Sequence, residues 1–354
     1  MVDNFPARLA GQSTGELQTR RATVTRDDVA RLAGVSTATV SYVVNRGPRP
    51  VSAEARAAVL RAVEALGYSP NRTARALARP GSRLLAFMTP DVTNPILAML
   101  AAEIDRVASE SGYVAVTLGC DGDVDRIRIR MDAFVRNRID GLLMVTPGIG
   151  ADALRSALRA EIPTVLVERE IPGADVDMVL VDNVDIGRQA TEHLLEHGHA
   201  VVGCVGGPGA AGRIRGFREA LILGERTVYP DLIQMAEPSV EHGEAVAGAM
   251  LASDARPTAI FATNDRMAAG VIRAAHAAGV RVPEGLAVVS ADDSYVSLAT
   301  SPPLTAVAMP IQEMARLAVS ILLDRIRGQA RTKPLHVELR PGLVIRGSCG
   351  CPTV

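Results

Sequence analysis

The sequence predicts an all-α headpiece of three short helices followed by a larger, two-lobed α/β body. Residues 25–67 hold three helix-sized segments, each opened by a capping side chain. From Leu84 onward, short β-rich runs alternate with helical patterns, which predicts parallel sheets covered on both faces. Charge divides at the same place. Residues 20–83 carry 12 arginines, no lysine and 4 acidic residues, whereas residues 84–354 carry 25 basic and 33 acidic residues. The formal net charge of −1 therefore hides a basic head and an acidic body. A basic head neutralises backbone phosphates and releases counterions, while an acidic body stays off nucleic acid.

Each headpiece element has a local cause. Thr25 and Asp28 form a capping box, Val29, Leu32 and Ala33 give an apolar face, and Gly34 suits a left-handed bend. Ser36 caps a second helix running to about Val43, with Val35 and Val40 turned inward and Thr37, Ala38, Ser41 and Tyr42 turned outward. The third helix starts at Ser52, buries Ala55, Val59, Val63 and Leu66 at spacings of three and four, and stops at Gly67. Beyond it Pro70 sets a further helix start, and Leu77 is the only large aliphatic residue among small and basic ones.

With Asp28-Val29-Ala30-Arg31-Leu32-Ala33-Gly34-Val35-Ser36, Thr39-Val40-Ser41, Val44-Asn45, Val51-Ser52, Arg56, Gly67-Tyr68, Pro70-Asn71, Ala74 and Leu77, the chain resembles the lactose/galactose repressor (LacI/GalR) family of bacterial transcription regulators. The resemblance implies a helix-turn-helix DNA-binding domain at 23–69 and a hinge at 70–82, and the polar, Gly/Ser/Thr-containing segment 1–22, which has no signal-peptide apolar stretch, is expected to be a disordered leader. It implies a type I periplasmic-binding-protein-like effector and dimerisation domain at 83–347 and a tail at 348–354. Lobe 1 would take about 83–182 and 309–336, and lobe 2 about 183–308 and 337–347. The implied DNA-binding residues are Thr25, Ser36, Thr37, Ala38, Thr39, Ser41, Tyr42, Asn45, Asn71, Arg72, Arg75 and Leu77. Leu77 would wedge into the central base step from the minor groove once two hinge helices pair, and an apolar wedge of this kind unstacks the step and bends the duplex. Many relatives carry arginine at the position of Tyr42, so the operator half-site is not transferable.

In the body, strands are expected at 84–89, 114–118, 142–145, 164–167, 179–181, 201–205, 258–262 and 286–290, and ligands of such folds bind at the carboxyl ends of the strands. By resemblance the effector residues are Arg213, whose guanidinium fork suits a carboxylate or vicinal hydroxyls, and Asp292, which accepts from ligand hydroxyls. Asn264 and Asp265 match a polar pair, with Asn94, Glu168 and Asp182 completing the lining; Asn94 and Asn264 also read as helix caps. A sugar or sugar derivative is the family's commonest effector. Met309 stands where several relatives have glutamine, segment 236–243 lacks an aromatic, and the chain has no Trp and 3% aromatics, so ring stacking is poorly served.

Two patterns argue for other classes. Gly207-Pro208-Gly209-Ala210-Ala211-Gly212 is a literal G-x-G-x-x-G after a strand, but it lies mid-chain and no acidic strand end follows at the required distance. His193-Leu194-Leu195-Glu196-His197 fits H-x-x-E-H, a zinc-enzyme pattern, yet Gly198 ends that helix, and histidines in a last turn answer the helix dipole. Cys120, Cys204, Cys349 and Cys351 form no C-x-x-C pair and receive no role. The expectation is a homodimeric, cytoplasmic, ligand-responsive regulator, most simply a repressor, with double-stranded operator DNA and a small-molecule effector as partners. No membrane contact, no catalytic residue, no cofactor and no metal is expected. The alternatives are a solute-binding receptor with a basic adaptor head and an H-x-x-E-H metalloenzyme.

Overall fold

The computed structural model describes residues 24–44, 50–68, 81–120, 123–145 and 152–351. The leader, Asn45, the hinge residues Asn71, Arg72, Arg75 and Leu77, and residues 352–354 lie outside the described residues. The chain forms two compact units that divide between Pro80 and Gly81.

In the first unit, helices α1 (Arg26–Ala33), α2 (Thr37–Val44) and α3 (Ala53–Leu66) enclose Val29, Ala30, Val40, Val43, Val59 and Ala62. Both halves of the Thr25–Asp28 capping box are formed, and Gly34 and Gly67 close their helices at φ 66° and 59°. Leu32 was expected in the core but is 56% exposed. The buried stripe of α1 runs through Val29, Ala30 and Ala33, and at 100° per residue Leu32 falls on the flank of that stripe. Ala62, small enough to admit α1 close to α3, takes the core place instead.

The second unit holds two six-stranded sheets, wider than the eight predicted strands indicate. Sheet 1 has the order β11-β5-β4-β3-β1-β2, from β1 (Leu84–Thr89), β2 (Val114–Gly119), β3 (Gly141–Met144), β4 (Thr164–Glu168), β5 (Asp177–Val181) and β11 (His336–Leu339), all parallel. Sheet 2 has the order β12-β10-β9-β8-β6-β7, from β6 (Val202–Gly206), β7 (Ile233–Met235), β8 (Ala259–Ala262), β9 (Ala287–Asp292), β10 (Thr305–Ala308) and β12 (Gly342–Val344), with only β12 antiparallel. The four strands not anticipated, β7, β10, β11 and β12, have three or four residues each, too few for a periodic signal.

The chain crosses between lobes after β5 and again after β10, where helix α12 (Ile311–Ile326) returns to sheet 1. The last crossing lies later than expected. Residues Val337–Leu339 were assigned to lobe 2, but β11 pairs with β5 in sheet 1 through Leu339, so lobe 1 extends to the end of β11. Asp177 explains this: its buried carboxylate binds Arg325 of α12 at 2.6 and 2.9 Å and accepts from Leu335 N–H at 2.7 Å, which holds α12 and the start of β11 against β5. Residues 348 and 349, expected in a tail, are also core. Ser348 Oγ donates to Val288 carbonyl at 2.6 Å and accepts from Thr305 N–H at 2.8 Å, tying the segment to β9 and β10.

Lobe 2 depends on close helix contact. Helices α7 (Asn183–Glu196) and α8 (Ala211–Leu223) cross where Gly187 meets the backbone of Arg213 and Gly216 meets that of Val184. A Cβ on either glycine would overlap the opposing carbonyl oxygen. Gly216→Ala is therefore expected to lower the unfolding free energy of the body by about 1–3 kcal/mol, as overpacking does, seen as a lower urea midpoint at unchanged slope. An unchanged midpoint would mean that the helices can part freely.

Candidate effector site and DNA-reading face

The carboxyl ends of both sheets meet at one cleft. A cavity of ≈ 470 Å³ lies there, lined from lobe 1 by Pro90, Asp91, Asn94, Ile96, Leu97, Val145, Glu168 and Arg169. Lobe 2 supplies Gly207, Pro208, Ala210, Arg213, Glu237, Pro238, Thr263, Asn264, Arg266 and Asp292. Parallel strands bring the loops after their carboxyl ends to one edge, so residues distant in sequence converge without being adjacent in the chain.

Arg213 is its centre. Its Nε donates to Asn183 Oδ1 at 2.9 Å, Nη1 to Thr263 carbonyl at 2.5 Å and to Asp292 Oδ1 at 2.7 Å, and Nη2 approaches Met309 Sδ at 3.5 Å. Sulfur is a weak acceptor, and a guanidinium has five N–H groups, so Nη2 keeps capacity for a ligand oxygen on the cavity side. Burial opposes its charge, but Asp292, Glu168 and Asp265 around it outweigh burial and hold the Arg213 pKa above its usual value. Glu168 and Asp292 sit at φ 72° and 94°, left-handed conformations unusual for residues with a side chain. Such strain, on the order of 1–3 kcal/mol per residue, collects at ligand sites whose surroundings fix it.

Among the described residues, two bonds join the lobes across the cleft. Arg169, paired with Glu168 at 3.0 Å, donates to Gly209 carbonyl at 2.7 Å, and Arg266 binds Asp91 at 2.9 Å. The glycine loop takes its place here: Gly209 is at φ 83°, and a Cβ there would collide with the Arg169 guanidinium.

Of the residues expected around the effector, Asn94, Glu168, Arg213, Asn264 and Asp292 line the cavity, and Asn94 and Asn264 are also helix N-caps. Asp182 and Asp265 do not line it. Asp182 caps α7, accepting from Val184 and Asp185 N–H at 3.0 and 2.8 Å, and it is the neighbouring Asn183 that reaches Arg213. Asp265 lies behind the wall, accepting from Ser290 Oγ and Ser294 N–H at 2.6 Å each. Asp91, Arg169, Arg266 and Asn183 were missed. For Asp91, Arg169 and Arg266 the available signal was position, since a charged residue just past a predicted strand end faces the cleft.

In the headpiece, Thr25 and Ser36 hydroxyls are occupied as caps; Ser36 Oγ accepts from Thr39 N–H at 3.1 Å and lies 2.9 Å from Thr39 Oγ1. Thr37 and Ala38 are exposed, while Ser41 and Tyr42 are half-buried on the same helix. One helix thus presents small polar and methyl groups beside a phenol, which suits contacts to thymine methyls and single hydrogen bonds.

Comparison with known proteins agrees with both units. Residues 25–71 match the model of bacterial regulatory proteins of the lacI family, and residues 191–349 match a periplasmic binding protein-like domain. The chain is 34% identical over 329 residues to the HTH-type transcriptional regulator DegA of Bacillus subtilis (strain 168), covering 91% of this chain and 96% of that protein. The chain belongs to the lacI family. Among solved structures, this lacI-family chain resembles the Lac repressor dimer bound to operator and the anti-inducer ONPF (28% identity, TM-score 0.80, 92% of this chain and 99% of that one). It also resembles the CelR–cellobiose complex (30% identity, TM-score 0.69, again 92% and 99%). Members of the family are DNA-binding transcriptional regulators and not enzymes, so neither the glycine loop nor the H-x-x-E-H pattern marks a catalytic centre. Among the described residues no helix is long and apolar enough to cross a membrane.

Two outcomes follow for this site. Arg213→Met is expected to abolish effector binding in calorimetry and to destabilise the body by about 3–5 kcal/mol, because Asp292 is left as an uncompensated buried charge; an unchanged unfolding midpoint would refute that account. Burial, and then the Asp292 charge, push Asp265 from an ordinary 3.8 up to about 6. A carboxyl raised on folding contributes stability fully below its unfolded pKa and loses it as pH rises through the folded value. Stability should therefore fall between pH 4 and pH 7, by about 3 kcal/mol at roughly 1.4 kcal/mol per pKa unit. Asp265→Asn should flatten that part of the pH profile in denaturant titrations.

Proposed function

We propose that this protein is a transcriptional repressor that binds a pseudo-palindromic operator as a homodimer and responds to a small polar effector, a sugar or sugar derivative, held in the interlobe cleft. The observation that carries the effector reading is the buried Arg213–Asp292 pair at the edge of the cavity, at 2.7 Å, because it sets a donor and an acceptor side by side for vicinal hydroxyls. The cellobiose complex named for one structural relative supports the same class of ligand. The effector contacts are Asn94, Glu168, Arg213, Asn264 and Asp292, joined by Asp91, Arg169 and Arg266 at the cleft mouth. With no Trp in the chain and no aromatic among the described lining residues, recognition proceeds through hydrogen bonds and ion pairs rather than ring stacking.

Thr37, Ala38, Ser41 and Tyr42 face base edges, Thr25, Ser36, Thr39 and Asn45 face the backbone, and Asn71, Arg72, Arg75 and Leu77 act at the operator centre. Homodimer formation is supported by Val114 and Val116 of edge strand β2 and by Tyr295 and Leu298 of the short helix Tyr295–Ala299, all at least 40% exposed. Apolar patches of this kind are what a second copy covers. A bacterial DNA-binding regulator of this kind works in the cytoplasm.

Coupling passes through the lobes. The Arg169–Gly209 and Arg266–Asp91 bonds hold the cleft closed, and an effector that competes for these groups changes the lobe separation. Where the hinge enters lobe 1, Asp140 accepts from Ser82 N–H at 2.6 Å, Ser82 Oγ at 3.0 Å and Arg83 N–H at 3.0 Å, so lobe movement reaches the hinge through a fixed point.

The test is selection of bound sequences from random duplex DNA by the purified protein across a salt series. A pseudo-palindrome is expected, with affinity falling about 10³-fold or more between 50 and 200 mM salt; no enriched sequence with or without candidate effectors would sink the reading. Leu77→Ala is expected to cripple operator binding in the same assay while calorimetric effector affinity stays unchanged, and survival of both affinities would remove the wedge.

A further inference from the structure

The C-terminal cysteines are not isolated from the histidines of the H-x-x-E-H pattern. Among the described residues, the ligand atoms of His193, Cys349 and Cys351 lie within 4.8 Å of one another, the one such cluster found there. Cys351 Sγ stands 3.6 Å from His193 Nε2 and 2.9 Å from His197 Nε2, and the two imidazoles meet edge to face at 4.7 Å. His193 is in the last turn of α7 and His197 is its C-cap, so one helix end supplies both rings on one side.

From these contacts we propose that His193, His197, Cys349 and Cys351 form a tetrahedral Cys2His2 site for a borderline-soft divalent cation, Zn2+ first among them. Zinc bonds of about 2.3 Å to sulfur and 2.0–2.1 Å to nitrogen, arranged tetrahedrally, set sulfur and nitrogen roughly 3.5 Å apart. The Cys351–His193 separation already has that length. His197 lies outside the 4.8 Å cluster and touches Cys351 and the His193 ring, so it joins as fourth ligand by turning its exposed imidazole about its side-chain bonds, which also opens the Cys351 contact by several tenths of an ångström.

The surroundings prepare Cys349 to be a thiolate ligand. Thr305 Oγ1 accepts from Arg346 N–H at 2.9 Å, which leaves its own hydrogen for Cys349 Sγ at 3.1 Å. H-x3-H is an ordinary spacing for two zinc histidines, whereas C-x-C is one residue shorter than the usual knuckle. Gly350, at φ 87°, makes the left-handed turn that brings both sulfurs to the same side. Binding releases the two thiol protons and changes no oxidation state. Glu196, the third member of the H-x-x-E-H pattern, is exposed and outside the cluster, so the site holds the tail to α7 and performs no hydrolysis. The same helix bears Asn183 at its other end, on Arg213, so the metal would stiffen the support of the effector arginine.

The test uses the full chain, reduced and stripped with chelator, titrated with Co2+ and then Zn2+. One Co2+ per chain is expected, with a sulfur-to-cobalt charge-transfer band in the near ultraviolet, tetrahedral visible bands, and displacement by Zn2+. Cys351→Ser and His197→Ala, both at solvent-accessible positions, should each weaken binding at least about 10-fold, since losing a mere supporting hydrogen bond at a metal site does as much. Zn2+ should raise the Tm of the parent but not of Cys351→Ser. Cobalt uptake without the charge-transfer band, equal affinity in Cys351→Ser, or failure of the reduced chain to bind either ion would overturn the site. A Cys349–Cys351 disulfide that persists under reducing conditions, seen as a two-hydrogen mass deficit, would overturn it too. DNA selection is independent of all four outcomes.

Discussion

A guanidinium taken out of water must find its hydrogen bonds inside the protein, and the arrangement of the body follows from how Arg213 does so. Its acceptors come from four separated places: Asn183 just past the first crossover, the carbonyl of Thr263 after β8, Asp292 at the end of β9, and Met309 in the second crossover. One side chain therefore ties two strand ends of lobe 2 to two of the segments that lead to lobe 1. Replacing Asp292, its charged partner, would leave the guanidinium as an unpaired buried charge, a penalty of several kcal/mol. The cleft wall and the crossovers of the body are consequently tied together by one buried side chain.

The support of that arginine is steric as well as electrostatic. Helix α8, which carries Arg213, lies against α7 with glycines at the crossing on each side, so the two backbones touch directly. Helix α7 in turn has Asn183 on Arg213 at its start and His193 and His197 at its end beside the C-terminal cysteines. Tail, helix and Arg213 are joined by a continuous run of contacts. Cleft closure is weaker by design of its parts: the Arg266–Asp91 bond is partly solvent-exposed, and the Arg169 bond to Gly209 spans a single carbonyl. Contacts of this strength can be exchanged for ligand contacts without disturbing either sheet.

Where sequence reasoning succeeded, the cause was local. Caps at Thr25, Ser36, Ser52, Asn94 and Asn264 are decided within three residues, and all five hold in the structure. It erred where a neighbour from afar decides. Leu32 satisfies a helical apolar pattern yet faces outward because α3 approaches α1 on the Ala30 side. Val337 to Leu339 stay in sheet 1 because Asp177, more than 150 residues earlier in the chain, holds the segment before them. Asp182 and Asp265 stand at strand ends that face the cleft, but each turns to the nearest unsatisfied donors, backbone N–H groups at α7 and at residue 294.

By itself the sequence determined the class of fold and the basic and acidic division, and it singled out the helix bearing Thr37 to Tyr42 and the two residues Arg213 and Asp292 that the structure pairs at the cleft, because periodicity, caps and short motifs are written in adjacent residues. Only the tertiary structure decided which charged side chains meet across the cleft, that Asn183 and not Asp182 serves the arginine, and that Cys349 and Cys351 lie beside His193 and His197. The Arg266–Asp91 and cysteine–histidine pairings join residues about 150 or more positions apart, and Asn183 and Arg213 lie 30 apart. No local spacing encodes them: they follow from the order of strands in two sheets and from where the last crossover returns the chain.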